Sequence, residues 1–363
     1  MAQRTPGSSA RAHPERPTKT TPPSNLFPFA PHLQKSVSMH RFACPPLPKT
    51  LRRCVVTGSS GYLGSRLVAA FQQAGVAVLG IDQRPASGRL AAAAKPASFV
   101  ASDIRASGLA DAIGRFNPDT IIHAAFAVQP LRDDGLMQAV NVGGTTNILQ
   151  ISAAVKPERL LVVSSATAYG AWADNPIPMD ETFPRRPCQA FRYAADKQTV
   201  EGLLDAFSLQ HPGIDVSWVR PGIIGGPCGS SFVTRFILHA PVLARFDGVD
   251  QPLQFVHEWD VVRGIATVLS GGGRGAYNLA PPNWTLVSEI ARETGRTAIS
   301  MPFWLGKAIH SAGWHLRTRL HEAPAGFLAF ARNPWVVAPR RLTEELDFRF
   351  AYSSLDTLRS MLT

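Results

Sequence analysis

Short apolar runs alternate with helix-length segments from Leu51 onward, and this alternation constrains the fold more than any other feature of the chain. Near-continuous apolar strands separated by amphipathic helices are what a parallel sheet covered on both faces requires. The first helical segment carries an apolar stripe of Leu63, Leu67, Val68 and Phe71. We therefore predict an α/β fold with a doubly wound parallel sheet. The predicted strands are Arg52–Thr57, Val76–Asp82, Ser98–Ser102, Thr120–Ala124, Arg159–Ser164 and Ile214–Arg220.

The first predicted strand runs into a glycine-rich segment, Thr57-Gly58-Ser59-Ser60-Gly61-Tyr62-Leu63-Gly64. Glycines three apart let the backbone turn tightly, approach a pyrophosphate and pack the following helix against the strand. The spacing is neither the Gly-x-Gly-x-x-Gly of classical dehydrogenases nor the Gly-Lys-Ser/Thr ending of a phosphate-binding loop. A glycine trio alone is as often an ordinary tight turn. This one follows a strand and opens a helix, as a dinucleotide site requires.

Two charged residues at the end of the second predicted strand bear on the choice of dinucleotide. Asp82 lies where an acid would meet the adenosine ribose hydroxyls, although Asp is also common in ordinary strand-ending turns. Arg84, two residues later, could instead accept a 2′-phosphate. The pattern favours NAD as the cofactor, with NADP as the alternative.

A serine pair and a Tyr-x-x-x-Lys segment follow in order along the chain. Ser164-Ser165 ends a predicted strand at the sheet edge where open α/β sheets bind ligands. Tyr193 and Lys197 lie one turn apart on a predicted helix and share a face. A nearby ammonium would lower the pKa of the phenol, and a serine hydroxyl could hold the reacting oxygen. Tyr-x-x-x-Lys alone is usually a solvated helix pair, but its position after the other two motifs predicts a hydride-transfer site.

Taken together, these segments resemble the extended short-chain dehydrogenase/reductases of the NAD-dependent epimerase/dehydratase family. The resemblance runs from about Arg52 to Asp260 by motif and more loosely to the C-terminus. It implies a Rossmann sheet with a smaller C-terminal substrate lobe. The further motifs that carry it are Asp103-Ile104, His123-Ala124-Ala125, Asn141-Val142-Gly143-Gly144-Thr145, Arg220-Pro221-Gly222-Ile223-Ile224-Gly225-Gly226-Pro227 and Val256-His257-Glu258-Trp259-Asp260.

The resemblance also implies a role for individual residues. It makes Ser165 the catalytic serine, Tyr193 the catalytic acid/base, and Lys197 the residue that tunes Tyr193 and holds the nicotinamide ribose. The residues that it implies for cofactor binding are Gly58, Gly61, Tyr62, Leu63, Gly64, Asp82, Arg84, Asp103, Ile104, Ala124, Ala125, Asn141, Tyr193, Lys197 and Pro221.

The implied chemistry is hydride transfer between a substrate carbinol carbon and the nicotinamide. A ketone that is held, rotated and reduced again gives epimerisation, whereas a ketone that leaves gives a dehydrogenase or reductase. Sugar-nucleotide epimerases of the family usually carry an Asn where this chain has Ile223, and the Arg-Pro form also occurs among relatives that act on steroids, flavonoids or other alcohols. We predict a sugar-nucleotide epimerase or similar enzyme. The alternatives are a dehydrogenase/reductase of a steroid-like or other secondary alcohol, and a non-catalytic NAD(P)-binding sensor.

The termini of the chain differ in composition from its middle. Residues 1–50 hold ten of the 30 prolines, seven of the 37 basic residues and one of the 26 acidic ones. We predict a disordered basic tail there; an organelle transit peptide and a translation start at Met39 are the other interpretations. Residues 51–227 are predicted to form the NAD(P)-binding domain. Residues 228–363 are predicted to form the substrate lobe, with elements that return to the first domain.

The remaining patterns bear on partners and location. Much of the net charge of +11 lies in the tail, which favours a small-molecule substrate over nucleic acid. Phe303–Leu320 could form an amphipathic helix that rests on a membrane or covers an apolar substrate, but we favour packing against the core of the lobe. No run is long enough for stable membrane insertion. The scattered cysteines and histidines predict no metal site and suit a reducing, cytoplasmic location. The resemblance implies a homodimer.

Overall fold

The computed structural model of the chain describes residue 47 and residues 49–85, 98–186, 188–227, 229, 231–318 and 321–362. The predicted disordered tail, residues 1–50, lies outside the described residues except at positions 47, 49 and 50, so its disorder stays a prediction.

Seven parallel strands of the described residues form one central sheet, in the order β11-β6-β5-β4-β1-β2-β3. Every strand predicted from the sequence is present and ends within one residue of its predicted bounds. The strands of the sheet are β1 (Arg53–Thr57), β2 (Ala77–Asp82), β3 (Ser98–Ala101), β4 (Thr120–His123), β5 (Arg159–Val163), β6 (Asp215–Pro221) and β11 (Gly275–Leu279).

Helices cover both faces of this sheet, and the sheet's alternating side chains divide between two apolar clusters. Val56 belongs to one cluster together with Leu67 and Phe71 of the first helix, whereas Val55 belongs to the other with Ile121. Successive residues of a strand point to opposite faces, so both faces must be apolar and covered. The helices that follow the strands up to β6 are α1 (Tyr62–Gln73), α2 (Leu109–Phe116), α3 (Asp134–Gln138), α4 (Gly144–Val155) and α5 (Arg192–Gln210). The predicted doubly wound α/β fold is confirmed.

The chain beyond β6 forms smaller elements before and after it returns to the sheet as β11, which pairs with β6. Three two-stranded sheets pair β7 with β10, β8 with β13 and β9 with β12. The strands are β7 (Ile223–Gly225), β8 (Val242–Phe246), β9 (Pro252–Leu253), β10 (Phe255–His257), β12 (Thr285–Leu286) and β13 (Thr297–Met301). The helices are α6 (Phe232–His239), α7 (Glu258–Ser270), α8 (Val287–Glu293), α9 (Phe303–His315), α10 (Ala329–Arg332), α11 (Arg340–Glu344) and α12 (Ser354–Ser360).

The helix predicted over Phe303–Leu320 is shorter than expected. It ends at His315, and Arg317 has a left-handed backbone with φ of 57°, which an α-helix cannot continue through. Residues 319 and 320 lie outside the described part of the chain. In that described part, no helix combines the length and the apolar character needed to cross a bilayer.

Candidate functional site

The glycine-rich segment forms a tight turn between β1 and α1. Gly58 has a φ of +69°, and its N–H donates to the carbonyl of Ile81 at 2.8 Å. A Cβ at Gly58 would lie 2.8 Å from the backbone of Ala125, and one at Gly64 would overlap the Gly58 carbonyl. Side chains are excluded at both positions, because the turn lies directly against its neighbours. Gly61 closes the turn by donating its N–H to the Gly58 carbonyl at 3.0 Å.

The end of β2 lies beside this turn. The carboxylate of Asp82 accepts a hydrogen bond from the Ser60 N–H at 3.1 Å, so it is joined to the glycine segment directly. Arg84 is exposed two residues further on. The structure therefore brings Asp82 to the predicted dinucleotide turn and leaves Arg84 at the surface nearby.

Tyr62 and Leu63, the first residues of α1, point to different surroundings. The Tyr62 hydroxyl donates to the buried carboxylate of Glu258, which also accepts from Arg66 at 3.2 Å. Leu63 packs against the main apolar cluster. Glu258 begins α7, so the glycine turn is tied to the C-terminal part of the chain.

The Asp103-Ile104 pair follows β3. Asp103 forms an ion pair with Arg105 at 2.7 Å and accepts from Gln83, and the hydrogen bonds from Arg105 lower the pKa of its carboxyl. Ile104 is buried, and its carbonyl accepts from the Asn147 side chain at 2.7 Å. The carboxylate of Asp103 is thus held ionised and in place, partly exposed to solvent.

His123 fixes the segment at the end of β4. Its Nδ1 lies 2.7 Å from Thr57 Oγ1, and its Nε2 lies 3.1 Å from Thr145 Oγ1. Burial lowers the pKa of His123 to about 3, so the ring is neutral. Thr57 in turn accepts the Ala125 N–H on its hydroxyl at 3.2 Å and the Ala124 N–H on its carbonyl at 3.3 Å. The predicted Ala124-Ala125 segment is therefore held against the glycine turn.

Asn141 links this segment to helix α5. It lies in a π-helical turn, Ala139–Gly143, and is fully buried. Its Oδ1 accepts the Ala127 N–H at 2.7 Å, and its Nδ2 donates to Asp196 at 3.0 Å. Asp196 is also buried and pairs with Arg192. In this geometry Asn141 positions the loop after β4 rather than presenting a free amide.

The predicted serine and tyrosine meet after β5. Ser165 begins a short 3₁₀ turn, Ala166–Tyr169, by accepting the Thr167 N–H at 3.2 Å. Burial raises the pKa of the neighbouring Tyr193 phenol to about 12, and the Ser165 side chain offsets that rise only in part. The Tyr193 hydroxyl therefore holds its proton at neutral pH.

Lys197 is buried one turn further along α5. Its Nζ donates to the Val163 carbonyl at 2.8 Å and lies 3.3 Å from the centroid of the Phe126 ring and 5.6 Å from that of Tyr193. Burial lowers its pKa to about 7, despite the nearby carboxylates of Glu201 and Asp196. The sequence predicted that this ammonium lowers the Tyr193 pKa. In this structure Lys197 donates to the Val163 carbonyl and lies against the Phe126 ring, so its effect on Tyr193 stays a prediction.

A buried ionic network behind these residues was missed by the sequence analysis. Glu201 is fully buried, accepts the Ser164 hydroxyl at 2.5 Å and pairs with Arg220 at 2.5 Å. Arg220 also donates to the Tyr169 hydroxyl at 2.5 Å. These contacts join β5, α5 and β6 directly beneath the serine. Glu201 follows Lys197 by four residues, so its place on the same helix face was the available signal.

The segment that follows β6 is apolar and buried, unlike the polar residues around Ser165. Pro221 is buried at the end of β6. Ile223 lies in β7, donates its N–H to the Gln254 carbonyl at 2.9 Å and belongs to the apolar core. The position at which the resemblance led us to look for an Asn is therefore filled here by a core side chain.

An aromatic cavity of about 210 Å³ lies beyond the tyrosine. The Phe191 ring is 5.8 Å from that of Tyr193 and 6.3 Å from that of Phe232, so aromatic contacts connect the two. Arg235 pairs with Glu322 at 2.5 Å at the cavity. The lining residues are Phe232, Arg235, Phe236, His239, His310, Glu322, Ala323 and Phe327.

Cysteine and histidine side chains supply no metal centre in the described ranges, where no group of three or more His, Cys, Asp or Glu could hold an ion. Cys54 and Cys188 are free thiols, and Cys44 and Cys228 lie outside the described residues.

Two buried hydroxyls near the glycine turn and the serine have no hydrogen-bond partner among the described residues. They are Ser59 Oγ in the glycine segment and Thr167 Oγ1 two residues after Ser165. Buried polar atoms are normally satisfied, so these two hydroxyls have hydrogen-bonding capacity left for a polar ligand. Together with the close approach at Gly58, they fit a bound dinucleotide.

Comparison with known proteins agrees with this geometry. Residues 54–280 match the model of the NAD dependent epimerase/dehydratase family. An uncharacterised protein of Mycobacterium tuberculosis is 25% identical over 320 residues, which span 86% of this chain and 83% of that protein. The UDP-glucose 4-epimerase of Mycolicibacterium smegmatis is 30% identical over 184 residues, or 48% of this chain and 57% of the relative.

Solved structures share the fold. The Thermus thermophilus UDP-glucose 4-epimerase, in complex with NAD, superposes with a TM-score of 0.65 at 22% identity, over 85% of this chain and 97% of that one. The Brucella ovis UDP-glucose 4-epimerase, also with NAD, gives a TM-score of 0.66 at 19% identity, with the same coverage. Because the family model spans well over half of the chain and the glycine turn, serine and tyrosine lie together, the chain belongs to the NAD-dependent epimerase/dehydratase family.

Proposed function

We propose that the protein is an NAD-dependent epimerase of the extended short-chain dehydrogenase type that inverts a carbinol carbon of a sugar nucleotide. The observation that carries the proposal is that Tyr193, beside Ser165 and with Lys197 one helical turn away, lies at the edge of the sheet that holds the glycine turn. The sugar-nucleotide part rests on the relatives, among them the UDP-glucose 4-epimerase of Mycolicibacterium smegmatis and UDP-glucuronate 4-epimerases of Arabidopsis thaliana.

The glycine turn and its neighbours are proposed to hold the dinucleotide. Gly58, Gly61 and Gly64 admit the pyrophosphate at the start of α1, and Asp82 receives the adenosine ribose, which favours NAD over NADP. When bound, NAD supplies the chemistry of a reversible hydride acceptor. The same proposal places most of the other predicted contacts around the dinucleotide, and these are Tyr62, Leu63, Arg84, Asp103, Ile104, Ala124, Ala125 and Pro221. Asn141 acts indirectly, because it positions the loop after β4.

Tyr193 is proposed to carry the proton of the reacting oxygen. As the phenolate, Tyr193 takes the proton of the substrate alcohol while that carbon is oxidised, and as the phenol it returns the proton when the carbonyl is reduced on its other face. Burial raises the pKa of Tyr193 to about 12, so the phenol is the stable form, and the oxidation step requires that Tyr193 first lose its proton to solvent. Ser165 holds the same substrate oxygen, and Lys197, anchored on the Val163 carbonyl, holds the nicotinamide ribose.

A second candidate function is supported by the residues on the substrate side. Ile223 replaces the polar Asn of related epimerases and is buried in the core. The cavity beyond Tyr193 is walled by phenylalanines, and its Arg235 is paired with Glu322. Both features suit an apolar secondary alcohol, on which the same residues would act as a dehydrogenase or reductase.

The test is to incubate the purified protein with UDP-glucose and, separately, with UDP-glucuronate, without added NAD, and to follow the 4-epimers by NMR. The proposal expects interconversion that is lost in Tyr193→Phe. Oxidation of an apolar secondary alcohol with net NADH formation, and no change in either sugar nucleotide, would favour the second candidate. Dinucleotide binding without any turnover would favour a sensor.

Assembly and location complete the proposal. By resemblance to family members, we expect a homodimer that pairs α4 and α5 across the interface. Free thiols at Cys54 and Cys188 suit a cytoplasmic location. Light scattering of the purified protein tests the dimer by its mass.

A further inference from the structure

Helix α9 contacts the rest of the protein through a narrow strip of its surface. Gly306, His310 and Gly313 are its buried residues. A Cβ at Gly306 would overlap the Phe246 ring, and one at Gly313 would overlap His321. His310 Nε2 lies 2.8 Å from the Ala323 carbonyl and its ring borders the aromatic cavity. The helix is therefore attached closely, through small residues and one histidine.

The opposite side of α9 is apolar and faces solvent. Trp304 is 70% exposed and Ile309 is 49% exposed, while Leu316, directly after the helix, is 76% exposed. Together with Leu305, these residues recur at intervals that place them on one face of a helix. Ala308 and Ala312 lie between them on the same face. Single exposed apolar side chains are ordinary, but a row of them on one helix marks an interaction surface. We call these six residues the apolar face of α9.

The structure bears out the interpretation that we favoured for one side of this segment only. Packing against the core of the lobe accounts for Phe303, whose ring meets that of Phe246 at 5.4 Å. It does not account for Trp304 or Leu316, which point away from the core.

Charge identifies the partner of the apolar face. Lys307 and Arg317 are exposed, and neither has an ion-pair partner among the described residues. The sequence from Phe303 to His321 contains no Asp or Glu. A helix with Trp and Leu on one face, cations beside it and no acid lies in the interface of an anionic membrane. An apolar protein partner would give no reason for these cations to lack acidic neighbours, whereas an anionic lipid surface does.

We propose that the apolar face of α9 docks the protein on the surface of an anionic lipid bilayer. Trp304, Leu305, Ile309 and Leu316 enter the headgroup region, and Lys307 and Arg317 meet lipid phosphates. Docking would place the helix that walls the aromatic cavity next to the lipid. The proposal does not depend on which substrate the enzyme uses, because it concerns a different face of the protein.

The test is co-sedimentation of the full chain with phosphatidylglycerol/phosphatidylcholine vesicles and with phosphatidylcholine vesicles alone. The wild type should bind the anionic vesicles and release at high salt. The double variant Trp304→Ser/Leu316→Ser should bind the anionic vesicles at least about tenfold more weakly than the wild type. Leu209→Ser removes an equally exposed leucine on α5 and should bind as the wild type does. Lys307→Glu should weaken binding more than Arg115→Glu, an exposed cation on α2.

Other outcomes would overturn the proposal. If the double variant binds anionic vesicles as well as the wild type, the apolar face is not the contact. If no vesicle binds the wild type, and the double variant instead shifts a dimer to monomer by sedimentation velocity, the face joins two copies of the chain.

Discussion

The carboxyl edge of the sheet and the C-terminal part of the chain differ in how their polar groups are held. At the sheet edge, Lys197, Glu201 and Asn141 are buried, and each is fixed by at least two contacts. At the cavity, Arg235 and Glu322 form a partly exposed pair between phenylalanine walls. Polar groups that are fixed by several buried contacts suit a chemical step that needs one geometry, whereas an apolar cavity with one partly exposed ion pair suits the binding of a substrate.

The largest expected effect is on turnover. Tyr193→Phe removes the only hydroxyl that we assign to proton transfer, so the rate should fall by about 10²- to 10⁴-fold. Binding of the dinucleotide should be retained, which calorimetry can check. Tyr277→Phe, on the far edge strand, is the matched control and should keep its activity. Normal turnover by the Tyr193→Phe enzyme would show that the residues at the sheet edge do not carry the reaction.

A change in the cavity should have a different kinetic signature. Phe232→Leu keeps most of the apolar volume next to Phe191 and Phe327. We expect a several-fold higher KM with little change in kcat, because this wall binds substrate without touching the proton (about 1 kcal/mol of packing). If kcat falls as far as in Tyr193→Phe, the division between the two regions is wrong.

The two ion pairs should differ in their contribution to stability. Glu201→Gln leaves Arg220 buried beside a neutral amide, so the free energy of unfolding should fall by about 3–5 kcal/mol. Glu322→Gln breaks a pair whose side chains are 29–34% exposed, so its cost should stay below about 1 kcal/mol. Urea denaturation measures both. Equal costs would contradict the difference in burial on which the comparison rests.

Two glycine substitutions distinguish steric crowding at the dinucleotide turn from backbone strain alone. Gly58→Ala adds a Cβ at a positive φ and against the Ala125 backbone, so dinucleotide affinity should fall by about tenfold or more. Gly75→Ala has a similar φ of +81° but open space around the new Cβ. It should cost some stability and leave affinity unchanged. Equal affinities for the two variants would place the pyrophosphate elsewhere.

Stability should also depend on pH. Lys197 has a pKa of about 7 in the folded protein against an ordinary value of 10.5. Between these values the unfolded chain binds a proton that the folded one does not, so stability should rise with pH from 7 to 8.5. Lys197→Met should flatten that rise, whereas Lys49→Met, an exposed lysine, should not. Unfolding by urea at both pH values gives the slopes.

The sheet edge was predictable from the sequence because its signals are local. Gly58, Asp82 and Ser165 each lie at the carboxyl end of a short apolar strand, and parallel strands bring those ends together. Tyr193 and Lys197 share a helix face by spacing alone. The direction of Lys197 was not predictable, since it depends on Val163 and Phe126, which lie far apart in the chain.

The C-terminal part was harder to predict for the same reason. The contact between Tyr62 and Glu258 joins residues 196 positions apart, and no local sequence pattern predicts it. Trp304 reads as a core residue by type, and only its exposure in the structure shows that it faces solvent. Glu201 was overlooked because a helical glutamate is usually solvated, whereas this one neutralises Arg220.

The nucleotide released when the purified protein is denatured tests the central claim most directly. The account predicts close to one NAD per chain, retained through purification, because an epimerase that returns its hydride has no need to exchange the cofactor. Release of neither NAD nor NADP, together with no binding of either to the intact protein, would contradict the account.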